Sequence, residues 1–255
     1  MTKLRLGLVQ HDIVWEDRDA TLAHVEPLVA AAASEGARLI LLTEMFAVGF
    51  SMNTAEVAEP EGGPTSRWLS AQAAAHDAWV GGSVPELAPG ADRPSNTFVL
   101  AAPDGTQHRY RKVHRFSYAG EHEHYGAGDA EITVDVDDVR VTPLVCYDLR
   151  FADRWWARAT QTDLYLCVAS WPQPRREHWT TLLTARAIEN LAYVAGVNRV
   201  GSGGGIEYSG DSRLVGPFGD VVVDGVDASE TVLIGDVDTE AVKQTRAQYP
   251  FLEDR

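Results

Sequence analysis

Cysteine and basic residues are scarce in this sequence. Two cysteines, Cys146 and Cys167, occur among 255 residues, so at most one bridge could form and a disulfide framework is excluded. We therefore expect reduced thiols. Lys and Arg number 22 against 37 Asp and Glu, which gives a formal net charge of -15. The basic residues form no dense run, and this disfavours nucleic-acid binding because phosphates must be neutralised by concentrated Lys and Arg.

Long hydrophobic runs and nucleotide-binding motifs are also missing. No segment approaches the roughly 20 apolar residues of a membrane span, and "MTKLRLGLVQHD" has too short an apolar run for a signal peptide. We expect no membrane association and a cytoplasmic location. "VGSGGG" lacks the Gly-Lys-Ser/Thr ending of a phosphate loop, so we interpret it as a flexible turn. No "GxSxG" supports a serine hydrolase, and no ATP or dinucleotide is expected.

The pattern that is present alternates strands with helices. Strands are predicted over residues 4–10, 37–44, 79–86, 163–170 and 191–198, and helices over residues 18–36, 65–77, 152–162 and 176–190. Two hairpins are predicted as well, one turning at Pro103-Asp104-Gly105 and the other at Asp137-Asp138. Further strands surround "GPFGD" near the end of the sequence. This pattern predicts one α/β domain over residues 1–255, with a mixed sheet layered with helices.

Three ionisable residues end apolar strands or follow them closely: Glu44, Lys112 and Cys146. Side chains converge on ligands at strand ends in layered α/β folds. A thiol reacts as thiolate and needs a base or a cation nearby, which a carboxylate and an ammonium can supply. The alternative is that Glu44 and Lys112 are separate surface residues and Cys146 belongs to the core. Spacing alone does not choose between these interpretations.

The motifs around these residues resemble a known family. "LLTEMFAVGFSMN", "RYRKVHRF" and "LVCYDLRF" resemble the Glu-Lys-Cys motifs of the nitrilase superfamily of carbon-nitrogen hydrolases. The similarity continues through "SWP", "ARAIEN", "GVNRVG" and "GPFGD", and so spans essentially the whole chain. "EMFAVGFSMN" together with "GEHEHYGAGD" is most similar to the bacterial omega-amidase branch, whose members hydrolyse the distal amide of 2-oxoglutaramate and 2-oxosuccinamate.

The resemblance implies a fold, an assembly and a mechanism. The fold is a four-layer αββα sandwich with mixed sheets, and two such units pair as a homodimer or within a larger homo-oligomer. The substrate is a small amide, and no metal or cofactor takes part. Cys146 is the implied nucleophile, Glu44 the general base and Lys112 the ammonium that stabilises the tetrahedral intermediate together with the N–H of Tyr147.

A second glutamate of the family orients the substrate amide. Its match is Glu121, since "GE" before a run ending in "AGD" is similar to the family pattern, although Glu123 lies two residues later. The alternative is a solvated acidic loop beside His122 and His124. These histidines also invite a metal interpretation, but no further Cys/His set at ligand spacing supports it.

Other residues are candidates for substrate contact. Arg150 could pair with a substrate carboxylate, as an arginine at this place does in related carbamoylases, or it could form a structural ion pair with Asp148. Three aromatic residues could wall the pocket or belong to the core: Phe46, Tyr118 and Trp171. We expect Asn198 to be structural and Cys167 to be inert.

Two rival functions stay open. Another acyl donor is possible, such as deaminated glutathione or an N-carbamoyl amino acid, because small pocket changes alter specificity by only a few kcal/mol. A non-catalytic binding protein on the same fold is the other, since a fold alone does not guarantee activity. The presence of all three residues Glu44, Lys112 and Cys146 argues against the second.

Overall fold

Two mixed β-sheets organise residues 3–254, the part of the chain that this computed structural model describes. The strands of the first sheet are β1 (Lys3–Gln10), β2 (Leu39–Leu41), β3 (Glu59–Pro60), β4 (Trp79–Leu87), β5 (Ser95–Ala101), β6 (Gln107–Arg111) and β15 (Thr231–Asp238). They run in the order β15-β1-β2-β4-β5-β6, with β3 beside β4. β1, β2 and β4 are parallel neighbours, whereas β15, β5 and β6 add antiparallel edges.

The second sheet repeats this plan of a parallel centre with antiparallel edges. Its strands are β7 (Val134–Val136), β8 (Val139–Val145), β9 (Leu164–Ala169), β10 (Tyr193–Asn198), β13 (Ser212–Val215) and β14 (Val221–Gly225). They run in the order β14-β13-β10-β9-β8-β7. A separate two-stranded hairpin consists of β11 (Val200–Gly203) and β12 (Ile206–Ser209).

Helices lie on the outer face of each sheet. The helices are α1 (Arg18–Ser34), α2 (Thr54–Val57), α3 (Pro64–His76), α4 (Glu121–His124), α5 (Ala152–Arg158), α6 (Arg176–Asn190) and α7 (Thr239–Gln248). Apolar residues of α1 and α3 pack with one face of the first sheet. The other face of that sheet packs on the second sheet, whose core extends to α5 and α6. The layers are therefore helix, sheet, sheet, helix, and the predicted αββα sandwich is confirmed.

Glycine permits the close approach of helix to sheet in both halves. A Cβ at Gly7 of β1 would lie 2.7 Å from the Cβ of Ala32 in α1. A Cβ at Gly196 of β10 would lie 2.4 Å from a methyl carbon of Leu183 in α6. Since real side chains do not approach so closely, any larger residue at either position forces the helix away from its sheet.

Both predicted hairpins are present. The Gly105 N–H donates to the Ala102 carbonyl at 3.0 Å, and Asp137 and Asp138 adopt φ values of 44° and 68° between β7 and β8. Such paired left-handed residues match the twist of a two-residue hairpin turn.

Other local predictions need correction. Only Leu39–Leu41 of the strand predicted over residues 37–44 forms a strand, and the elements α2, β3, α4 and α7 were not predicted. The "GSGGG" segment is not simply a flexible turn, because its first three residues pair in register with β12 and only Gly204 and Gly205 turn the chain. Within residues 3–254, no helix is long and apolar enough to cross a membrane.

Candidate active site

Glu44, Lys112 and Cys146 come together between the two sheets. Glu44 follows β2 and Lys112 follows β6 in the first sheet, whereas Cys146 follows β8 in the second. The Lys112 Nζ donates to Glu44 Oε1 at 2.9 Å, and both side chains are at most 1% exposed. The charges of Glu44 and Lys112 both act on the Cys146 thiol. The fold thus gathers residues that lie far apart in the sequence.

The Glu44 carboxylate is fixed by donors from both sheets. Its Oε1 accepts a hydrogen bond from Asn96 Nδ2 at 2.8 Å, in addition to the one from Lys112. Its Oε2 accepts from the backbone N–H of Ser170 at 2.8 Å, directly after β9. These charge-assisted bonds hold the carboxylate in one orientation beside the thiol.

Glu121 completes a buried charge cluster around Lys112. The Lys112 Nζ donates to Glu121 Oε1 and Oε2 at 3.0 and 2.9 Å, and the N–H of Phe116 donates to the same carboxylate. Asn96 bridges both glutamates, with its Nδ2 lying 3.3 Å from Glu121 Oε1. Glu123 is exposed two residues further on, so Glu121 is the glutamate that meets Lys112.

The electrostatics of this cluster follow from burial and charge. Burial by itself lowers the pKa of Lys112, but the carboxylates of Glu121 and Glu44 outweigh it and raise that pKa well above the ordinary value. Burial raises the pKa of Glu121, with Lys112 acting against it and Glu44 adding to it. The Phe50 ring lies 5.2 Å from Lys112 Nζ and covers the ammonium.

Cys146 projects from a strained strand end. Its φ is 47°, the left-handed region that side chains other than glycine seldom adopt. A 3₁₀ turn, Cys146–Arg150, starts here, and Asp148 fixes it by accepting from the Val145 N–H at 3.1 Å and from the Tyr110 hydroxyl at 2.7 Å. The Tyr147 N–H lies in the first turn, where amides have no partner within the helix.

The resting thiol is neutral. Burial, together with the nearby Glu44 carboxylate, raises the pKa of Cys146 well above the ordinary value, and Lys112 counteracts only part of this. Because the thiol has to lose its proton to react, the geometry favours proton transfer to Glu44 during attack over a preformed thiolate.

A cavity of about 500 Å³ opens beside Cys146. Four predicted contact residues border it: Tyr118, Tyr147, Arg150 and Trp171. Phe46 does not. It is fully buried with its ring 5.8 Å from that of Trp68 in the outer helix layer, and Phe50 borders the cavity instead.

Arg150 does not pair with Asp148, so of the two interpretations of Arg150 the ion pair with Asp148 is wrong. Asp148 is already bonded to Val145, Tyr110 and His114. The Arg150 Nη2 instead lies 3.0 Å from His178 Nδ1, and its guanidinium stacks 4.9 Å from the centre of the Trp171 ring. Arg150 therefore faces the cavity, where a ligand can reach it.

The two residues expected to be structural are embedded in the second sheet. The side chain of Asn198 accepts from the Trp171 N–H at 2.7 Å and donates to the carbonyls of Trp171 and Gly210 at 3.1 and 2.7 Å. Cys167 is fully buried in β9, and burial raises the pKa of its thiol well above the ordinary value.

Several residues of the site were not predicted from the sequence. They are Phe50, Asn96, Phe116, Ser170, Arg175 and Tyr208. Ser170 lies in the "SWP" motif, which was noted only as part of the resemblance. Asn96 lies between Ser95 and Thr97 in the polar first half of β5, so its sequence position gave no distinct signal, and nothing in the sequence connects Arg175 or Tyr208 with Cys146.

Comparison with known proteins gives the family. Residues 5–247 match the family model described as carbon-nitrogen hydrolase. The chain belongs to the carbon-nitrogen hydrolase family.

Relatives of this carbon-nitrogen hydrolase cover its whole length. It is 40% identical to the omega-amidase YafV of Escherichia coli over 100% of its own chain and 97% of the relative. It is 29% identical to a 2-oxoglutaramate amidase of Bacillus subtilis over 99% of its chain and 97% of the relative. A crystal structure of a CN-hydrolase superfamily protein from Xanthomonas campestris, with an arsenic adduct in its active site, has a TM-score of 0.94 and 36% identity, covering 100% of this chain and 98% of that one.

The metal interpretation of the "EHEH" segment gains no support from the geometry. Across residues 3–254 of the carbon-nitrogen hydrolase, no three His, Cys, Asp or Glu side chains gather in a way that could hold a metal ion. His122 and His124 are exposed at the surface.

Proposed function

We propose that this chain is an omega-amidase that releases ammonia from the distal amide of 2-oxo acid amides such as 2-oxoglutaramate and 2-oxosuccinamate. The observation that carries the proposal is the buried Glu44–Lys112–Glu121 cluster beside a thiol that borders a cavity. The full-length relatives named omega-amidase and 2-oxoglutaramate amidase support the substrate class. Arg150 at the cavity offers a cation for the substrate carboxylate.

Acylation starts with attack of the Cys146 sulfur on the amide carbon. Glu44 takes the thiol proton as the C–S bond forms, and the carbonyl electrons move to oxygen. The Lys112 ammonium and the Tyr147 N–H stabilise the oxyanion, and removal of one such donor costs about 3 kcal/mol of barrier. The tetrahedral intermediate collapses as the C–N bond breaks, and Glu44 passes its proton to the leaving nitrogen, which departs as ammonia.

Deacylation uses the same carboxylate in the second half-reaction. Glu44 takes a proton from a water molecule, whose oxygen attacks the thioester carbon. The new intermediate collapses to the carboxylic acid as the C–S bond breaks, and the Cys146 sulfur recovers a proton from Glu44. In our proposal Glu121 orients the amide and holds Lys112 in place through its two short contacts.

We further propose that the protein is a cytoplasmic homodimer, or a larger assembly built from one. An exposed apolar patch supports this: Ile188, Phe218, Tyr249 and Phe251. Phe218 and Phe251 are 61% and 59% exposed, and the ring of Phe218 stacks on Tyr249 at 5.1 Å. A Cβ at Gly219 would lie 2.8 Å from Ile188, so α6 joins the same patch. Contiguous apolar surface of this kind marks an interface.

A panel of amides tests the proposed activity. Ammonia release is measured from 2-oxoglutaramate, 2-oxosuccinamate, deaminated glutathione and N-carbamoyl amino acids. The proposal predicts the highest kcat/KM for the two 2-oxo acid amides. A preference for another acyl donor would replace the substrate class, and no release from any amide would favour a non-catalytic binding protein.

A further inference from the structure

Tyr208 borders the cavity but has an unused hydroxyl. The residue is 5% exposed and belongs to β12, whose hairpin forms one side of the cavity. The ring is held from behind, because the Arg199 guanidinium lies 4.5 Å from its centre. The hydroxyl makes no hydrogen bond to any residue of the described chain. A hydroxyl that borders a cavity and has no protein partner is available to a ligand bound there.

The Tyr208 side chain lines the same cavity as Cys146. Burial, together with the negative charge of Glu44, raises the pKa of Tyr208 to about 12, against the opposing charges of Arg199 and Arg175. The hydroxyl therefore stays protonated under physiological conditions and can donate a hydrogen bond. Its natural acceptor is an oxygen of a substrate bound in the cavity.

Arg175 supplies an unpaired cation at the same cavity. It ends a 3₁₀ turn, Gln173–Arg175, whose carbonyl oxygen at Arg175 accepts from Trp171 Nε1 at 2.8 Å. Its guanidinium reaches the other wall and lies 5.5 Å from the centre of the Phe116 ring. It forms no hydrogen bond or ion pair with another side chain in residues 3–254.

The neighbouring arginine, Arg176, does have a carboxylate partner, so the lack of one is particular to Arg175. Arg176 points elsewhere and pairs with the buried carboxylate of Asp211. Arg175 and Arg150 thus both border the cavity without a carboxylate partner, in a chain whose net charge is -15. A local cationic site in an acidic protein fits an anionic substrate.

We propose that Tyr208 and Arg175 form the subsite for the end of the substrate remote from the amide, with Tyr208 donating to the 2-oxo oxygen and Arg175 pairing with the carboxylate beside Arg150. This subsite rests on the proposed omega-amidase function and gives it a structural basis. It selects amides that carry both groups. An amine in place of the 2-oxo group is disfavoured, because an ammonium would face the Arg175 and Arg150 cations.

Three amides of equal chain length separate the two contacts. 2-Oxosuccinamate carries the oxo group and the carboxylate, succinamate carries only the carboxylate, and butanamide carries neither. The kcat/KM for ammonia release is measured for each. Wild-type protein should show values that fall in that order, by about tenfold or more at each step.

Variants of Tyr208 and Arg175 should then show which residue accounts for each of the two differences in kcat/KM. Tyr208→Phe keeps the ring on Arg199 and should lower the ratio of 2-oxosuccinamate to succinamate about tenfold. Arg175→Gln should lower the ratio of succinamate to butanamide about tenfold or more, and Arg175→Lys should restore part of it because a point charge replaces the bidentate fork. Arg67→Gln removes the same charge from an exposed position on α3 and should leave both ratios at the wild-type values.

The outcomes distinguish the subsite from the function on which it rests. Wild-type release of ammonia from none of the three would overturn both. If the wild type is active and both kcat/KM ratios stay within twofold of the wild-type values in Tyr208→Phe and Arg175→Gln, the subsite is wrong. The proposed omega-amidase function is not affected by that result. If Tyr208→Phe does not fold, the wild type decides, since equal kcat/KM for 2-oxosuccinamate and succinamate removes the role of the hydroxyl.

Discussion

Lys112 shows at the level of one residue why the active site is also a stability element. Its ammonium is the counter-charge for two buried carboxylates, Glu44 and Glu121. Removal of one member of a buried charge cluster leaves the others unpaired in a medium that solvates them poorly. The catalytic arrangement and the integrity of this region therefore depend on the same contacts.

We predict that Lys112→Gln lowers the free energy of unfolding by about 3 kcal/mol at neutral pH, because two like charges are then buried together. Glu121→Gln added to that variant should recover part of the loss by removing one of these charges. Urea denaturation measures both effects, and ammonia release should stay abolished in both proteins. A Lys112→Gln protein as stable as the wild type would contradict the buried pairing.

His11 makes a pH-dependent contribution to the stability of the region next to Glu44. Its Nδ1 donates to the Asp12 carbonyl at 2.7 Å, and its Nε2 accepts from the hydroxyl of Thr43, the residue before Glu44. Burial lowers the pKa of this fully buried ring from 6.5 to about 4, with the Asp12 hydrogen bond opposing the change. The folded protein therefore holds His11 neutral at pH values where the unfolded chain protonates it.

The lowered pKa of His11 predicts how the free energy of unfolding changes with pH. Between pH 6.5 and about 4 the unfolded state binds the extra proton, so stability from His11 is complete above pH 6.5 and is lost as the pH falls. By pH 5 the loss is about 2 kcal/mol. Denaturation of wild type and His11→Gln at pH 7 and pH 5 measures it, since groups common to both cancel. Equal pH dependence in the two proteins would refute the burial of a neutral ring.

At the scale of elements, the site depends on the hydrogen bonds that connect the segments following neighbouring strands. Cys146 and Ser170 follow the parallel neighbours β8 and β9. The carboxyl ends of these two strands lie side by side, and so do the residues that follow them. Asn198 at the end of β10 binds the segment after β9 to the segment before β13. This one side chain connects the wall residue Trp171 with Gly210.

We expect Asn198→Ala to cost about 2 kcal/mol of unfolding free energy, because it removes three buried hydrogen bonds and leaves backbone groups unpaired. Displacement of Trp171 should also lower kcat/KM. Asn53→Ala, at an exposed position before α2, is the control and should change stability by less than about 0.5 kcal/mol. An Asn198→Ala protein with wild-type stability and activity would show that the hydrogen bonds of the Asn198 side chain are not required.

The sequence predicted elements well where pattern and turn chemistry agreed. The β-rich segment "LRLGLVQ" predicted β1, the apolar segment "LYLCVA" predicted β9, and the paired aspartates predicted the β7–β8 turn. It failed where tertiary contacts decide the conformation. The glycines of β11 have no side chains to show strand character, and their pairing with β12 comes from the surrounding fold. Phe46 and Phe50 are both apolar, and only the path of the loop after Glu44 determines which one borders the cavity.

At the scale of the whole molecule, the convergence of Glu44, Lys112 and Cys146 could not be predicted from their spacing in the sequence alone. Glu44 and Lys112 follow strands of the first sheet and pair with each other, whereas Cys146 follows a strand of the second sheet, so only the packing of one sheet on the other places the thiol beside that pair. The family motifs supplied that expectation. Arg175 and Tyr208 carried no local signal, because their role comes from the position of the 3₁₀ turn and the β11–β12 hairpin at the cavity.

Assembly gives a further prediction at this scale. Ile188→Asp should convert the proposed dimer to a monomer in sedimentation velocity, because a charge would be buried in the apolar patch defined above. Val14→Asp is the matched control, since Val14 is 45% exposed and does not belong to that patch. A wild type that sediments as a monomer, or an Ile188→Asp protein that stays dimeric, would contradict this assignment of the interface.

The central claim is that the Cys146 sulfur forms the bond to the acyl group, and one comparison tests it directly. Steady-state ammonia release from 2-oxoglutaramate is measured for wild type, Cys146→Ala and the control Cys167→Ala. We predict that Cys146→Ala loses at least about a thousandfold in kcat, whereas Cys167→Ala, whose sulfur is fully buried in β9, stays active. A Cys146→Ala protein that turns over at the wild-type rate would contradict it.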